Sequence, residues 1–311
     1  MEVGLTHLID KGTAAHLEES RTFNAAAQAA AASDLAQPDL STSGGLQEAR
    51  SMLSSRPLDP RAIDRIADAG GRQVPVRVIT PQHGQARAAY LEIHGGGFYL
   101  GSAARSDTRN AVLADALGMA VVSIDYRLAP EHPWPAAPDD CETAALWLLQ
   151  HAEAVFGTPR LMIGGASSGA NLAMATLLRL RDRGRVQPFA GAVLQFGAYD
   201  LSGRSPGGRM YGGEWFIKAY AGHVDDRTNP DISPLYGDLH GLPPALLVVG
   251  TLDILLEDNL AMAARLSAAG NEVDLRVFPE SPHGFTSSPT AMAAAALNGI
   301  QSWLASRLDE R

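Results

Sequence analysis

Two neighbouring serines stand in the run GGASSGANLA, residues 164–173, directly after the apolar residues Leu161, Met162 and Ile163. A serine hydroxyl is a weak nucleophile at neutral pH unless a base, usually histidine, is oriented beside it and a carboxylate fixes the tautomer of that base. The spacing of small residues says which serine is placed for such work. A nucleophile on a sharp strand-to-helix turn needs small residues two positions before and two after it, and Ser167 has Gly165 and Gly169 there. Ser168 has Ala166 and Ala170 at the same offsets, so Ser167 is the candidate nucleophile. Without further partners the same spelling would suit a plain structural turn, where small residues let backbones pass closely.

The partners are present. Asp253 follows the apolar run ALLVVG in GTLDILLEDN, and His283 follows the run VDLRVF in PESPHGF. Singly, Asp253 would serve as a helix cap and His283 as an ordinary loop histidine. Together with Ser167 they lie at the carboxyl ends of three different predicted strands, where the loops of an open sheet face one crevice. Glu257 and Asp258 are close in sequence, but either would sit inside the following predicted helix, so Asp253 is the first choice as partner of His283. A developing oxyanion also needs donors. HGGGF, His94 to Phe98, comes directly after the run AAYLEI, and its glycines free backbone N–H groups from obstruction by side chains.

These residues need a scaffold, and from about residue 74 the chain supplies one. The β-type runs VPVRVI, AAYLEIH, AVVSID, LMIGG, AGAVLQF, ALLVVG and VDLRVF alternate with helical segments near 104–118, 138–155, 168–183, 256–269 and 289–306. Near-continuous apolar strands separated by helices predict an α/β fold with a mostly parallel sheet covered on both faces. Residues 1–55, Ala-rich and helical, and 200–225, containing MYGGEWFIKAY, stand outside this rhythm. They are expected to form a lid over the strand ends, or else ordinary surface helices.

Composition narrows the partners. The chain has 311 residues, 46% of them hydrophobic, a net charge of −9, and 25 Lys and Arg scattered along its length, which argues against nucleic acid. Cys141 is the single cysteine, so there is neither an intrachain disulfide nor a cysteine metal site. The N-terminal stretch lacks a basic start followed by an apolar core, and the apolar runs stop far short of the ~20 residues of a membrane span. The expectation is a cytoplasmic chain with no membrane partner.

HGGGFYLGS, DYRLAPEHPWPAAPDD, the G-x-S-x-G of residues 165–169, GTLD and HGF together resemble the hormone-sensitive-lipase-like branch of the α/β-hydrolases, the bacterial family IV esterases. The motifs span about residues 90–285. The resemblance implies an α/β-hydrolase fold with an α-helical cap: residues 1–55 as the N-terminal part of the cap, 56–199 and 226–311 as the catalytic core, and 200–225 as a cap insertion. It implies a serine carboxylesterase for short- to medium-chain esters, with Ser167, Asp253 and His283 as the triad. The N–H groups of Gly96, Gly97 and Ser168 would form the oxyanion hole, with His94 and Gly95 shaping that loop. Phe98, Tyr99, Tyr211, Trp215 and Phe216 are the candidate pocket residues, and Asp125, Arg127 and Glu131 are expected to brace the YRLAPE segment. The partner implied is a small-molecule ester, with no metal and no cofactor, and a homodimer is compatible with the resemblance. The family commonly has an acidic residue before the nucleophile and AGG after it, where this chain has Ala166, Ser168, Gly169 and Ala170. Amidase, lactonase or deacetylase chemistry would use the same residues, and receptors of the same branch keep a pocket without a complete triad.

Overall fold

The computed structural model describes residues 11–33, 38–53 and 58–309. Eight strands form one sheet in the order β1-β2-β4-β3-β5-β6-β7-β8. They are β1 (Ile63–Ala69), β2 (Arg72–Ile79), β3 (Ala88–Ile93), β4 (Met119–Ile124), β5 (Leu161–Ala166), β6 (Phe189–Gln195), β7 (Ala245–Gly250) and β8 (Val273–Phe278). Strands β3 to β8 pair in parallel, while β1 and β2 join the edge antiparallel. This is an α/β-hydrolase fold.

The apolar runs become strands because both faces are covered. All residues of β3, β4 and β7 are buried. One face packs against α3 (Asp107–Leu117) and α9 (Ala291–Asp309). The other packs against α4 (Ala136–Phe156), α5 (Ser168–Asp182) and α8 (Leu256–Ala268). From β3 the chain crosses to β4 on one side and then to β5 on the other, so the winding reverses between β3 and β5. At such a switch point the loops leaving the strand ends diverge and open a crevice.

Strand β1 has no counterpart among the runs read from the sequence. Its sequence IDRIADA carries Asp64, Arg65 and Asp68, and only Ala67 and Ala69 are buried, so an apolar signal is lacking. It forms because Gly70 and Gly71, with φ of 60° and 79°, close a tight hairpin onto β2. Its exposed charges suit an edge strand.

The segments outside the βα rhythm are helical where described: α1 (Leu17–Ser33), α2 (Ser43–Leu53), α6 (Pro206–Tyr211) and α7 (Trp215–Ala221). Helix α1 is held at the carboxyl end of the sheet by Asn24, whose Nδ2 donates to the carbonyl of Glu280 at 2.8 Å, and by Glu19, which accepts from the N–H of Ala291. Among the described residues no helix is long and apolar enough to cross a membrane. The YRLAPE charges are internally paired. Arg127 makes a forked contact with buried Asp140, Asp125 accepts from the N–H of Ala103, and Glu131 pairs with Arg50.

Asp258, buried in the first turn of α8, ties down the 200–225 insertion. It accepts from the N–H groups of Tyr199 and Asp200 and from the hydroxyl of Tyr211 at 2.6 Å. Burial, only partly offset by these bonds, raises its carboxyl from 3.8 to about 6. Between those values the folded chain holds a proton that the unfolded chain has lost, so this group's contribution to stability falls as pH rises from about 4 to about 6. The stability of wild type relative to Asp258→Asn is therefore expected to be greater at pH 4 than at pH 7, by about 2 kcal/mol in urea unfolding. A difference independent of pH would contradict this coupling.

Candidate active site

Ser167 sits between β5 and α5 with φ 56° and ψ −120°, a strained conformation for a residue with a side chain. Its N–H donates to the carbonyl of Gln195 at 2.9 Å, which anchors the turn to the end of β6. The flanking glycines are required by close approach. A Cβ on Gly169 would collide with the carbonyl of Ile93, and one on Gly165 with the backbone of Gly169. The turn and the end of β3 thus touch backbone to backbone.

Asp253 and His283 arrive on loops stitched to each other. Thr251 donates from its N–H to the carbonyl of Phe278, Leu252 to that of Ser281, and the N–H of Glu280 donates to Oγ1 of Thr251 at 3.0 Å. Nδ1 of His283 lies 3.0 and 3.1 Å from the two carboxylate oxygens of Asp253, and Nε2 lies 3.0 Å from Oγ of Ser167. Asp253 is fully buried and its Oδ1 also accepts from the N–H of Leu255 at 2.8 Å. An ionised carboxylate can only accept, so it fixes the imidazole hydrogen on Nδ1 and leaves Nε2 as an acceptor for the serine proton. The ring of Phe196 meets His283 edge-on at 5.1 Å and limits its rotation.

The Gly-rich loop stands beside Ser167: a Cβ on Gly95 would lie 3.4 Å from the Cβ of Ser167. Gly96 and Gly97 have φ of 132° and 61°, conformations that glycine adopts without strain. The loop closes through the carbonyl of Gly96, which accepts from Tyr99 and Leu100. The N–H groups of Gly96 and Gly97 take no part in that closure. Ser168 occupies the first turn of α5, where backbone N–H groups have no partner within the helix.

His94 braces this loop. Its ring stacks on Tyr126 at 4.2 Å, its Nδ1 meets the carbonyl of Gly95 at 2.9 Å, and its own carbonyl accepts from the Tyr126 hydroxyl. Burial pushes its imidazole pKa down and favours the neutral ring.

A cavity of about 850 Å³ surrounds Ser167 and includes Phe98, Tyr99, Tyr211 and Phe216 in its lining. Phe98 is fully buried and stacks on Tyr220 at 3.9 Å. Trp215 does not line the cavity. It stands one layer back, edge-on to Tyr99 at 4.9 Å, because its neighbour Phe216 takes the inward position on α7. Ile254 and Leu255 complete the wall near Asp253, and nothing in their local sequence distinguished them from helix-core residues.

Arg50 on α2 also escaped the sequence reading. Its Nε donates to the carbonyl of Tyr99 at 2.9 Å, its Nη2 to that of Ala129 at 2.8 Å, and its guanidinium pairs with Glu131. One side chain from the N-terminal segment therefore clamps the loop that follows Gly97. No local motif marks such a residue, since its partners lie 49 to 81 positions away.

Residues 90–287 match the family described as alpha/beta hydrolase fold. The chain is 32% identical over 255 residues to an ethyl acetate hydrolase of Pseudomonas putida, covering 77% of this chain and 80% of that one. It is 35% identical over 229 residues to the carboxylic ester hydrolase LipN of Mycobacterium tuberculosis, covering 68% of this chain and 61% of LipN. Among solved structures, a hormone-sensitive lipase from a metagenome library superimposes with a TM-score of 0.78 at 30% identity, over 93% of this chain and 98% of the other.

The Arg50 clamp makes a prediction that needs no substrate. In Arg50→Ala, hydrogen exchange of the segment 96–101 is expected to accelerate by about tenfold or more, with protection restored by added guanidinium and not by Arg50→Lys, whose point charge cannot fork. Unchanged protection in Arg50→Ala would show that the loop is held without this contact.

Proposed function

This chain belongs to the α/β-hydrolase fold family, in its hormone-sensitive-lipase-like branch, and we propose that it is a serine carboxylesterase whose nucleophile is Ser167. The observation that carries the proposal is the continuous hydrogen-bonded chain from Ser167 through His283 to Asp253, with steps of about 3 Å. The likeness to carboxylic ester and ethyl acetate hydrolases supports the ester as substrate class.

In this mechanism Nε2 of His283 accepts the proton of Ser167 as its Oγ attacks the ester carbonyl. The imidazolium that forms is stabilised by buried Asp253, which cannot be approached by water on that side. Negative charge develops on the carbonyl oxygen and is received by the N–H groups of Gly96, Gly97 and Ser168. Removing one such donor costs on the order of 10²–10³ in kcat in comparable sites. His283 then protonates the departing alcohol and leaves an acyl group on Ser167. Water then attacks the acyl carbonyl as His283 takes its proton, the acyl–Oγ bond breaks, and His283 returns the proton to Ser167 as the acid is released.

The described parts of region 1–55 and the 200–225 insertion act as the cap in this reading, while residues 1–10, 34–37 and 54–55 of the expected cap lie outside the described residues. Tyr99, Tyr211 and Phe216 give the substrate an aromatic wall, with Phe98 packed behind the loop and Trp215 supporting Tyr99. The cavity volume falls within the ~300–1,000 Å³ of sites that enclose small-molecule ligands. A cytoplasmic setting is supported by the lone buried Cys141, and the acidic net charge supports a site without nucleic acid.

The test is hydrolysis of p-nitrophenyl esters from acetate to palmitate. Wild type is expected to cleave the short members, and folded Ser167→Ala to lose roughly 10⁴–10⁶-fold in kcat. Full activity in Ser167→Ala would refute the assignment of the nucleophile. A folded wild type inactive on every ester would refute the esterase reading.

A further inference from the structure

Of the two partners of Ser167, His283 is the one that packing holds less: its side chain is 38% exposed, against 0% for Asp253. Three positions before it, Glu280 has φ of 49°, in the left-handed region that a residue with a side chain seldom occupies. Such a conformation persists only where its surroundings over-determine it. Two side chains from outside the loop do so here. The N–H of Glu280 donates to Oγ1 of Thr251 at 3.0 Å, and its carbonyl accepts from Nδ2 of Asn24 at 2.8 Å. Thr251 and Asn24 thus hold the two peptide groups that flank Glu280.

Asn24 belongs to α1, whose described residues line no part of the cavity around Ser167. The helix is set behind the loop of His283, where Ser20, Phe23 and Asn24 border a small pocket with Pro282 and Phe285. Arg21 of the same helix pairs with the Glu280 carboxylate at 3.0 Å, but its side chain is 62% exposed and a pair of that kind contributes little. The Asn24 bond differs in kind, because it grips the backbone of the loop.

We infer that Asn24 is a positioning residue for the catalytic base: by donating to the carbonyl of Glu280 it holds the left-handed turn that sets Nε2 of His283 against Oγ of Ser167. The inference rests on the esterase reading, in which His283 is that base. Without the donor, Glu280 relaxes toward the negative φ that a residue with a side chain prefers, and rotation there swings the following residues. The imidazole must stay 3.0 Å from both Asp253 and Ser167. A misplacement of about 1 Å costs on the order of 10²-fold in rate. Because α1 does not line the cavity, the loss falls on kcat and leaves KM nearly unchanged.

The test is hydrolysis of p-nitrophenyl acetate by Asn24→Ala and by Asn24→Asp, which keeps the shape of the side chain but offers the carbonyl only acceptors. Both are expected to lose about tenfold or more in kcat with KM changed by less than about twofold, whereas Arg21→Ala keeps the wild-type kcat. Where the Asn24 variants fail to fold, Thr251→Val is expected to show the same loss, and Thr251→Ser, which keeps the acceptor oxygen, to retain the rate. A readout that needs no substrate is the downfield NMR resonance of the proton on Nδ1 of His283, expected to be sharp in wild type and broadened by solvent exchange in Asn24→Ala. Wild-type kcat in the folded Asn24 variants, or in Thr251→Val where those do not fold, overturns the positioning role. So does an equal loss in Arg21→Ala, or a change confined to KM. A wild type inactive on every p-nitrophenyl ester overturns the esterase reading, and the resonance then still decides whether Asn24 holds His283, since an unaltered signal in Asn24→Ala overturns that too.

Discussion

The backbone contact between the end of β3 and the turn after β5 is the constraint on which the site depends. Gly165 and Gly169 allow the carbonyls of Ile93 and His94 to approach the start of α5 more closely than any side chain would permit. That contact sets Ser167 next to the Gly-rich loop and holds its backbone in a strained conformation. Strain of this kind costs of order 1–3 kcal/mol and persists only where the surroundings over-determine it. Here the surroundings are the parallel pairing of β3 with β5, the bond from Ser167 to the end of β6, and the packing of α5 on the sheet. Substituting either glycine would move Ser167 relative to the Gly-rich loop, so these residues act on the site through the backbone.

A second layer of polar contacts holds loops and inserted helices against that centre. Arg50 joins α2 to the loop after Gly97, Asp258 joins the insertion to α8, and Thr251 joins the loop of Asp253 to that of His283. Each is a long-range contact between a side chain and a loop or insertion whose apolar residues also join the core. The positions of Ser167, Asp253 and His283 thus depend on several loops held at the carboxyl ends of the strands. Asp258 shows the cost of this arrangement, since its buried carboxylate is protonated more readily than an exposed one.

Much of this was legible in the sequence because the relevant signals are local. The runs ALLVVG and VDLRVF coincide with β7 and β8, and the helices fall within a few residues of their expected places. The positions of Ser167, Asp253 and His283 at strand ends followed from the same pattern. What local pattern could not show was orientation across the fold. Strand β1 was hidden by its charges, since its pairing depends on a hairpin rather than on burial. Trp215 and Phe216 are adjacent aromatics, and only the packing of α7 decides which faces the cavity. Asn24 and Arg50, on an Ala- and Ser-rich segment, acquire meaning only from partners distant in the chain.

The most direct test of the central claim, that the strained turn presents one activated serine to a ready set of donors, is covalent trapping. A fluorophosphonate that places a tetrahedral phosphorus on the nucleophile would be incubated with the protein, and the adduct located by peptide mass mapping. The account predicts one adduct per chain, on Ser167, forming with a rate that falls sharply in His283→Ala. An adduct on Ser168, or labelling spread over several serines at rates insensitive to His283, would contradict it.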